Sequence, residues 1–327
     1  MNHSYVFNGD ADGLCALQQL RLASPRAAGR EEKLVTGVKR DIALLDRVVA
    51  AAGDAATVLD ISLDVNRAAL DKLLAAGVTV RYFDHHFAGE IPAHPGLDAH
   101  IDLSPTVCTS LLVDRFLDGL FRPWAIVGAF GDSMTAEARA LCEASGIAAD
   151  AAGRLQELGV AINYNAYGEA IADLHVPPLE LAEEMLCHPD PLRFAAESAT
   201  FARLSAGYRD DMERARRLEP ARQAPGALMF VLPDAAWARR ASGTLANDVA
   251  KAHGGSAIAI VSPKSDGGYL VSVRVPRDSA ISAEAFCRRF PTGGGRKTAA
   301  GINHLPGAEL EAFAAAFERQ FTAETTT

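Results

Sequence analysis

Acidic and imidazole side chains gather in four short segments of this chain, each following an apolar run. They are Asp10-Ala11-Asp12-Gly13, then Asp60, then Asp84-His85-His86, then Gly131-Asp132. Carboxylates brought together repel one another and acquire raised pKa values unless a cation neutralises them. An oxygen-rich donor set with one or two imidazoles suits Mn²⁺ or Mg²⁺ better than Zn²⁺. Asp10, Asp12, Asp60, His85 and Asp132, if folding assembles them, are therefore a candidate divalent-cation site. Each piece alone has a plainer reading. Asp-x-Asp-Gly is commonly a turn with its glycine, Asp60 and Asp132 suit helix N-caps, and a His-His pair after a strand is commonly a polar turn. Their recurrence at four strand ends favours the cation.

The elements that must position them follow from hydropathy. Strands are expected at 5–8, 34–38, 57–60, 78–83 and 126–130, and helices at about 14–23, 42–52, 65–76 and 107–120. Strands alternating with helices imply βαβ units and a mostly parallel, five-stranded sheet, an α/β fold. In such a sheet the C-terminal strand ends share one edge, where ligands bind, so the scattered residues converge there. Helices at about 136–158, 177–186 and 191–217 follow, and a turn-like break falls at Gln223-Ala224-Pro225-Gly226. A smaller α+β module is expected beyond it, with strands near 228–232, 256–261 and 269–275. Helices near 242–253, 283–290 and 308–321 complete that module. The domains expected are 1–150, a helical connector at 151–224, and 225–327.

The 327 residues, 49 % hydrophobic, suffice for two cores. The net charge of −9 is a poor match for long duplex nucleic acid, whose affinity rests on phosphate contacts, but leaves room for a local basic pocket. Five cysteines without a CxxC pair argue against a disulfide framework. No leader and no apolar run of membrane-spanning length is evident, so the plain expectation is a soluble cytoplasmic protein without a membrane partner; a dimer is compatible with it. His94 and His100 are read as loop residues, and His3, His175, His188, His253 and His304 have no metal-like context.

Taken together these segments resemble the DHH phosphoesterase superfamily, in its DHH–DHHA1 branch of RecJ-like and oligoribonuclease-like enzymes. Asp10-x-Asp12-Gly13 is similar to the first motif, Asp60 to the second, Asp84-His85-His86 to the third and Gly131-Asp132 to the fourth. The stretch 104–110 resembles the Ser/Thr-rich segment after the third motif. Ser272-Val273-Arg274 and Gly293-Gly294-Gly295-Arg296, followed by Ala299-Ala300-Gly301, resemble the DHHA1 signature. The resemblance covers nearly the whole chain.

It implies a site of two Mn²⁺ ions, with Mg²⁺ as an alternative. Asp60 would bridge them, Asp10 would serve one, and Asp12, His85 and Asp132 the other. Asp84 would orient its neighbours and His86 would contact the scissile phosphate or its leaving group. Gly293, Gly294 and Gly295 would let backbone N–H groups approach an anion, with Arg274 and Arg296 clamping phosphate oxygens. Three positions depart from the pattern. Val6 stands where relatives commonly carry a histidine, Asn8 where RecJ-type chains carry an aspartate, and Arg296 where many have histidine. The Asp10 site is accordingly expected to bind metal weakly, or only with substrate present.

The expected activity is hydrolysis of phosphodiester or phosphomonoester bonds in short nucleotides or oligonucleotides. Domain closure about 221–226 would accompany it. A RecJ-like single-strand exonuclease is the second reading, with the arginines between Arg203 and Arg222 as a track. A non-catalytic nucleotide-binding regulator is the third, motivated by Val6 and Asn8. The segment 163–168, Asn-Tyr-Asn-Ala-Tyr-Gly, could line a base pocket or simply end a helix.

Overall fold

The first strand, β1 (His3–Phe7), is followed by Asn8, Gly9 and then α1 (Ala11–Ala23), so the chain reverses within three residues. Asp10 makes that reversal possible by capping α1: its Oδ1 accepts from the N–H groups of Asp12 and Gly13, at 3.0 and 3.2 Å. Gly13 is required because a Cβ there would lie 2.2 Å from the Asn8 carbonyl oxygen. The computed structural model describes residues 2–25 and 31–322. It divides into two units, Met1–Tyr208 and Arg209–Thr327.

In the first unit, β2 (Glu32–Val35), β3 (Ala55–Leu59), α2 (Arg67–Ala75), β4 (Thr79–Asp84) and β5 (Leu97–Ile101) come next. The sheet order is β2-β1-β3-β4-β5, every pair parallel. Its two faces carry separate cores, which is why β1 reads as a continuous apolar run: Tyr5 and Phe7 pack on one side and Val6 on the other. The remaining helices are α3 (Thr109–Phe116), α4 (Arg122–Gly131), α5 (Thr135–Ala144), α6 (Ala149–Asn165), α7 (Pro178–Met185), α8 (Pro191–Glu197) and α9 (Ala199–Arg216). The stretch 151–224, read from sequence as a connector, divides at Tyr208, and its residues from Leu155 to Leu204 contribute to the first unit's core.

The α/β class and the five-stranded parallel sheet are as expected, but the fifth strand is not. The run 126–130 is helical, part of α4, whose residues from Trp124 to Gly131 are all buried. Burial on every side removes the polar positions that reveal a helical period, so the run mimics a core strand. Tight packing explains its glycine: a Cβ on Gly131 would lie 2.3 Å from the Ala11 Cβ and 2.9 Å from the Gly159 carbonyl oxygen. The true fifth strand, β5, lies where a Pro- and Gly-containing loop was expected, and it contains His100. The helix expected over 42–52 contracts to one 3₁₀ turn at Leu44–Arg47.

The second unit takes the end of α9 and then runs β6 (Arg222–Ala224), β7 (Ala227–Val231), α10 (Ala236–Ala252), β8 (Ala257–Pro263), β9 (Tyr269–Arg274), α11 (Ala283–Cys287), β10 (Gly293–Gly295), β11 (Ala299–Leu305) and α12 (Leu310–Phe321). These strands form a mixed sheet in the order β10-β11-β9-β8-β7-β6. Phe286, Phe313 and Phe317 centre its core. Ala221–Gly226 is not a linker. Arg222–Ala224 is a strand paired antiparallel with β7, and Gly226 at φ +83° closes the turn. The triple glycine, expected as a loop, is an edge strand: Gly293 pairs with Ile302, Gly294 with Gly301 and Gly295 with Ala300.

Candidate metal centre

The C-terminal edge of the parallel sheet collects the acidic segments. Asp60 directly follows β3, Asp84 ends β4, and Asp10 caps the helix after β1. Asp132 arrives differently, as the C-cap of α4, its N–H donating to the Gly128 carbonyl at 2.9 Å. Asp60 holds a left-handed backbone, φ +59°, where a non-glycine residue is uncommon and strained. Its N–H donates to the Phe83 carbonyl at 3.0 Å, which locks the turn and aims the carboxylate along the edge.

His85 is the hub. Its Nε2 lies 3.4 Å from Asp60 Oδ1, 3.8 Å from Asp132 Oδ2 and 4.0 Å from Asp12 Oδ2. Ligand atoms about 2.1 Å from a common octahedral ion stand about 3 to 4.2 Å apart, so this spacing fits a shared cation. Its other nitrogen, Nδ1, is 3.0 Å from the Val107 carbonyl oxygen, which can only accept. Nδ1 therefore carries the proton and Nε2 presents a lone pair. Two overlapping groups have metal-holding spacing among the described residues, Asp60 with His85 and His86, and Asp12 with His85 and Asp132.

The surrounding structure makes this hub rigid. Asp12 is almost wholly buried, and its two oxygens accept from the Thr109 and Ser110 N–H groups, at 2.6 and 2.7 Å, at the start of α3. A helix N-terminus is a natural place for a carboxylate. Thr109 Oγ1 donates to Asp60 Oδ1 at 3.2 Å. Asp84, fully buried, accepts from His86 Nδ1 at 2.7 Å and so orients that ring. This bond leads the causes that raise the His86 pKa, ahead of burial, which opposes it.

Burial and crowding raise the pKa of two of the acids. Burial first, then the charges of Asp10, Asp12, Asp84 and Asp132, push Asp60 well above the usual carboxylate range. Burial, then Asp12, pushes Asp132 up to about 6. A bound cation must displace protons from these acids, so its affinity falls as pH drops through about 6, by up to about tenfold per unit for each competing carboxyl. Mn²⁺ titrated calorimetrically between about pH 7.5 and 5 should bind progressively more weakly. An affinity constant across that range would contradict the arrangement.

Asp10 is placed at the same edge but is engaged by Lys39, whose Nζ lies 2.5 Å from Asp10 Oδ2. Burial raises the Asp10 pKa, but the Lys39 charge and hydrogen bond outweigh it and hold the carboxyl below its ordinary value. Lys39 escaped the sequence reading, which singled out Asn163 and Tyr167 without linking them to it. Lys39 follows β2, so the strand-end rule that picked out the acids also applies to it. Asn163 and Tyr167 carried no such signal. Arg274, Gly293, Gly294, Gly295 and Arg296 all fall in the second unit. There Arg274 pairs with Ala299 of β11, whose next residue, Ala300, pairs with Gly295. Arg274 Nε donates to Asn247 Oδ1 at 2.9 Å, and Arg296 is exposed. His3 sits at the opposite sheet edge, beside Thr57 Oγ1 at 2.9 Å.

Residues 225–323 match the DHHA1 domain family. RecJ of Thermus thermophilus, solved in complex with Mn²⁺, superposes over 97 % of this chain with a TM-score of 0.62 and 23 % identity. The C-terminal region thus matches the DHHA1 domain family, and the fold of the chain is similar to that of RecJ. The match takes in 51 % of that RecJ, so this chain spans about half its length. An exonuclease RecJ bound to manganese gives 0.59 and 19 % identity, over 97 % of this chain and 89 % of that one. The pGpG-specific phosphodiesterase PggH from Vibrio cholerae gives 0.54 and 12 %, over 97 % and 98 %. The Thermus RecJ is also known with Mg²⁺. No curated protein matches the chain. No helix among the described residues is long and apolar enough to cross a membrane.

Proposed function

We propose that the chain is a metal-dependent phosphoesterase acting on short nucleotides or oligonucleotides. One observation carries this reading: His85 Nε2, its proton held on Nδ1 by Val107, faces oxygens of Asp12, Asp60 and Asp132 within 4.0 Å. A divalent ion held there would supply Lewis-acid stabilisation of a phosphoryl group and a more acidic water. The chain's own part is positioning and proton transfer. Hydrolysis adds hydroxide from water to phosphorus and breaks the ester P–O bond. The departing oxygen needs a proton, and His86 offers one from Nε2 because Asp84 at Nδ1 favours the imidazolium. Phe87, next in sequence and 69 % exposed, offers a face on which a base can stack.

Short substrates fit better than a long strand. Of the arginines proposed as a track, Arg203 pairs with Glu180, Arg216 with Asp248, Arg217 with Glu213 and Arg222 with Glu311. Neutralised in this way, they make a weak phosphate track. The non-catalytic reading has one observation in its favour, the engagement of Asp10 by Lys39. Purified protein with Mn²⁺ should hydrolyse labelled dinucleotides or pAp faster than single-stranded DNA, and EDTA should stop it. Faster turnover of long single strands would support the exonuclease. No turnover of any of the three would leave the binding protein.

A further inference from the structure

The same edge that gathers the carboxylates also contains one ammonium, and its setting is built rather than incidental. Lys39 Nζ lies 2.5 Å from Asp10 Oδ2, 3.0 Å from Asn163 Oδ1 and 3.9 Å from Asp132 Oδ1. It stands 5.4 Å from the centre of the Tyr167 ring, within cation–π range. The Lys39 backbone is tied at both ends: its N–H donates to the Ala166 carbonyl at 3.0 Å, and its carbonyl accepts from Asn8 Nδ2 at 3.3 Å. The segment 163–168 is thereby explained as the cradle of this side chain, and Asn8 as part of its support.

A second ion ligated by Asp10 does not fit these residues. Asp10 Oδ1 caps α1, Oδ2 is engaged by Lys39, and the carboxyl also shares a hydrogen bond with Asp60. Val6, where a further ligand would stand, is fully buried in the apolar core of the opposite face. Asp10 belongs to neither group with metal-holding spacing. A divalent ion within coordination distance of Asp10 would also meet the ammonium at the same carboxylate. At such separations like charges repel strongly even where the surroundings screen them.

We propose that Lys39 takes the place of a second cation, so that the centre holds a single divalent ion at Asp12, His85 and Asp132, one of the two groups whose donor atoms have metal-holding spacing. The ammonium supplies fixed positive charge on the Asp10 side. Two of its three N–H groups are used by Asp10 and Asn163, and the third is left for an oxygen of a bound phosphate. The inference rests on the metal-binding part of the proposed function but not on turnover.

Wild-type protein equilibrated with excess Mn²⁺, with and without inorganic phosphate, should retain one manganese per chain after gel filtration. Electron paramagnetic resonance should show the hyperfine pattern of isolated Mn²⁺. Two ions per chain, or the broadened spectrum of an exchange-coupled pair, would overturn the proposal, as would the absence of any bound ion. Lys39→Ala, provided its circular dichroism shows a folded chain, should gain a second manganese. A folded Lys39→Ala that still holds one would refute displacement by the lysine. Should that variant not fold, the wild-type stoichiometry and spectrum decide alone. One bound ion without turnover of any nucleotide would remove the phosphoesterase reading and leave this inference standing.

Discussion

His85→Ala is expected to weaken Mn²⁺ binding by at least about a hundredfold, and to lower kcat/KM on the preferred nucleotide at least as much. Replacing a group that merely orients a metal ligand costs about 10- to 100-fold, and His85 is itself the candidate ligand. It is the residue common to both groups with metal-holding spacing. No neighbour can stand in for it. Asp84 is committed to His86, and Asp12 and Asp132 already belong to the same group as His85. The fold should survive, because the imidazole is partly exposed, at 20 %, and contributes a hydrogen bond to one backbone carbonyl. Calorimetry and initial rates at rising Mn²⁺ would measure both effects. An unchanged dissociation constant would remove His85 from the centre.

Lys39→Ala should destabilise the metal-free protein by about 3 kcal/mol, the low end of the range for breaking a buried ion pair. The low end applies because the Lys39 side chain keeps 24 % of its exposure, whereas Asp10 keeps 2 %. The cost comes from the partner left behind: the Asp10 carboxylate would stay buried beside other acids, without the ammonium that balances its charge. Lys39→Met combined with Asp10→Asn removes both charges and should recover much of the loss. The pH dependence has a definite sign. Asp10 is held below its ordinary value in the folded chain, so its contribution is present above the unfolded pKa near 3.8 and is lost as pH falls through the depressed value. Urea unfolding in EDTA at about pH 7 and about pH 3 would show the Lys39→Ala penalty at the higher pH and a smaller one at the lower. Equal penalties would mean the pair contributes nothing through its charge.

Much of the site was legible beforehand because it obeys a local rule. Asp10, Asp60 and Asp84 stand at the ends of apolar strands, and a parallel sheet aligns such ends whatever the details of packing. Asp132 shows where the rule stops. Its position beside His85 was anticipated through a strand, yet a helix delivers it. A wholly buried helix and a core strand share the same continuous apolar composition. The Asp84–His86 pair could be read from adjacency, whereas the Asp12 bonds to Thr109 and Ser110 join residues 97 and 98 apart.

By itself, the sequence determined the acidic edge, the α/β class and the Asp84-His85-His86 hub, because each follows from strand periodicity and nearest neighbours. Only the tertiary structure decided how the charge of that edge is balanced. Lys39 meets Asp10 because β2 pairs beside β1, and it meets Asn163 because α6 ends nearby. The strand-end rule places Lys39 at that edge, but its pairing with a carboxylate 29 residues away leaves no periodic trace in the chain. Electrostatic pairing depends on distance in space, and that distance exists only once the sheet order is made.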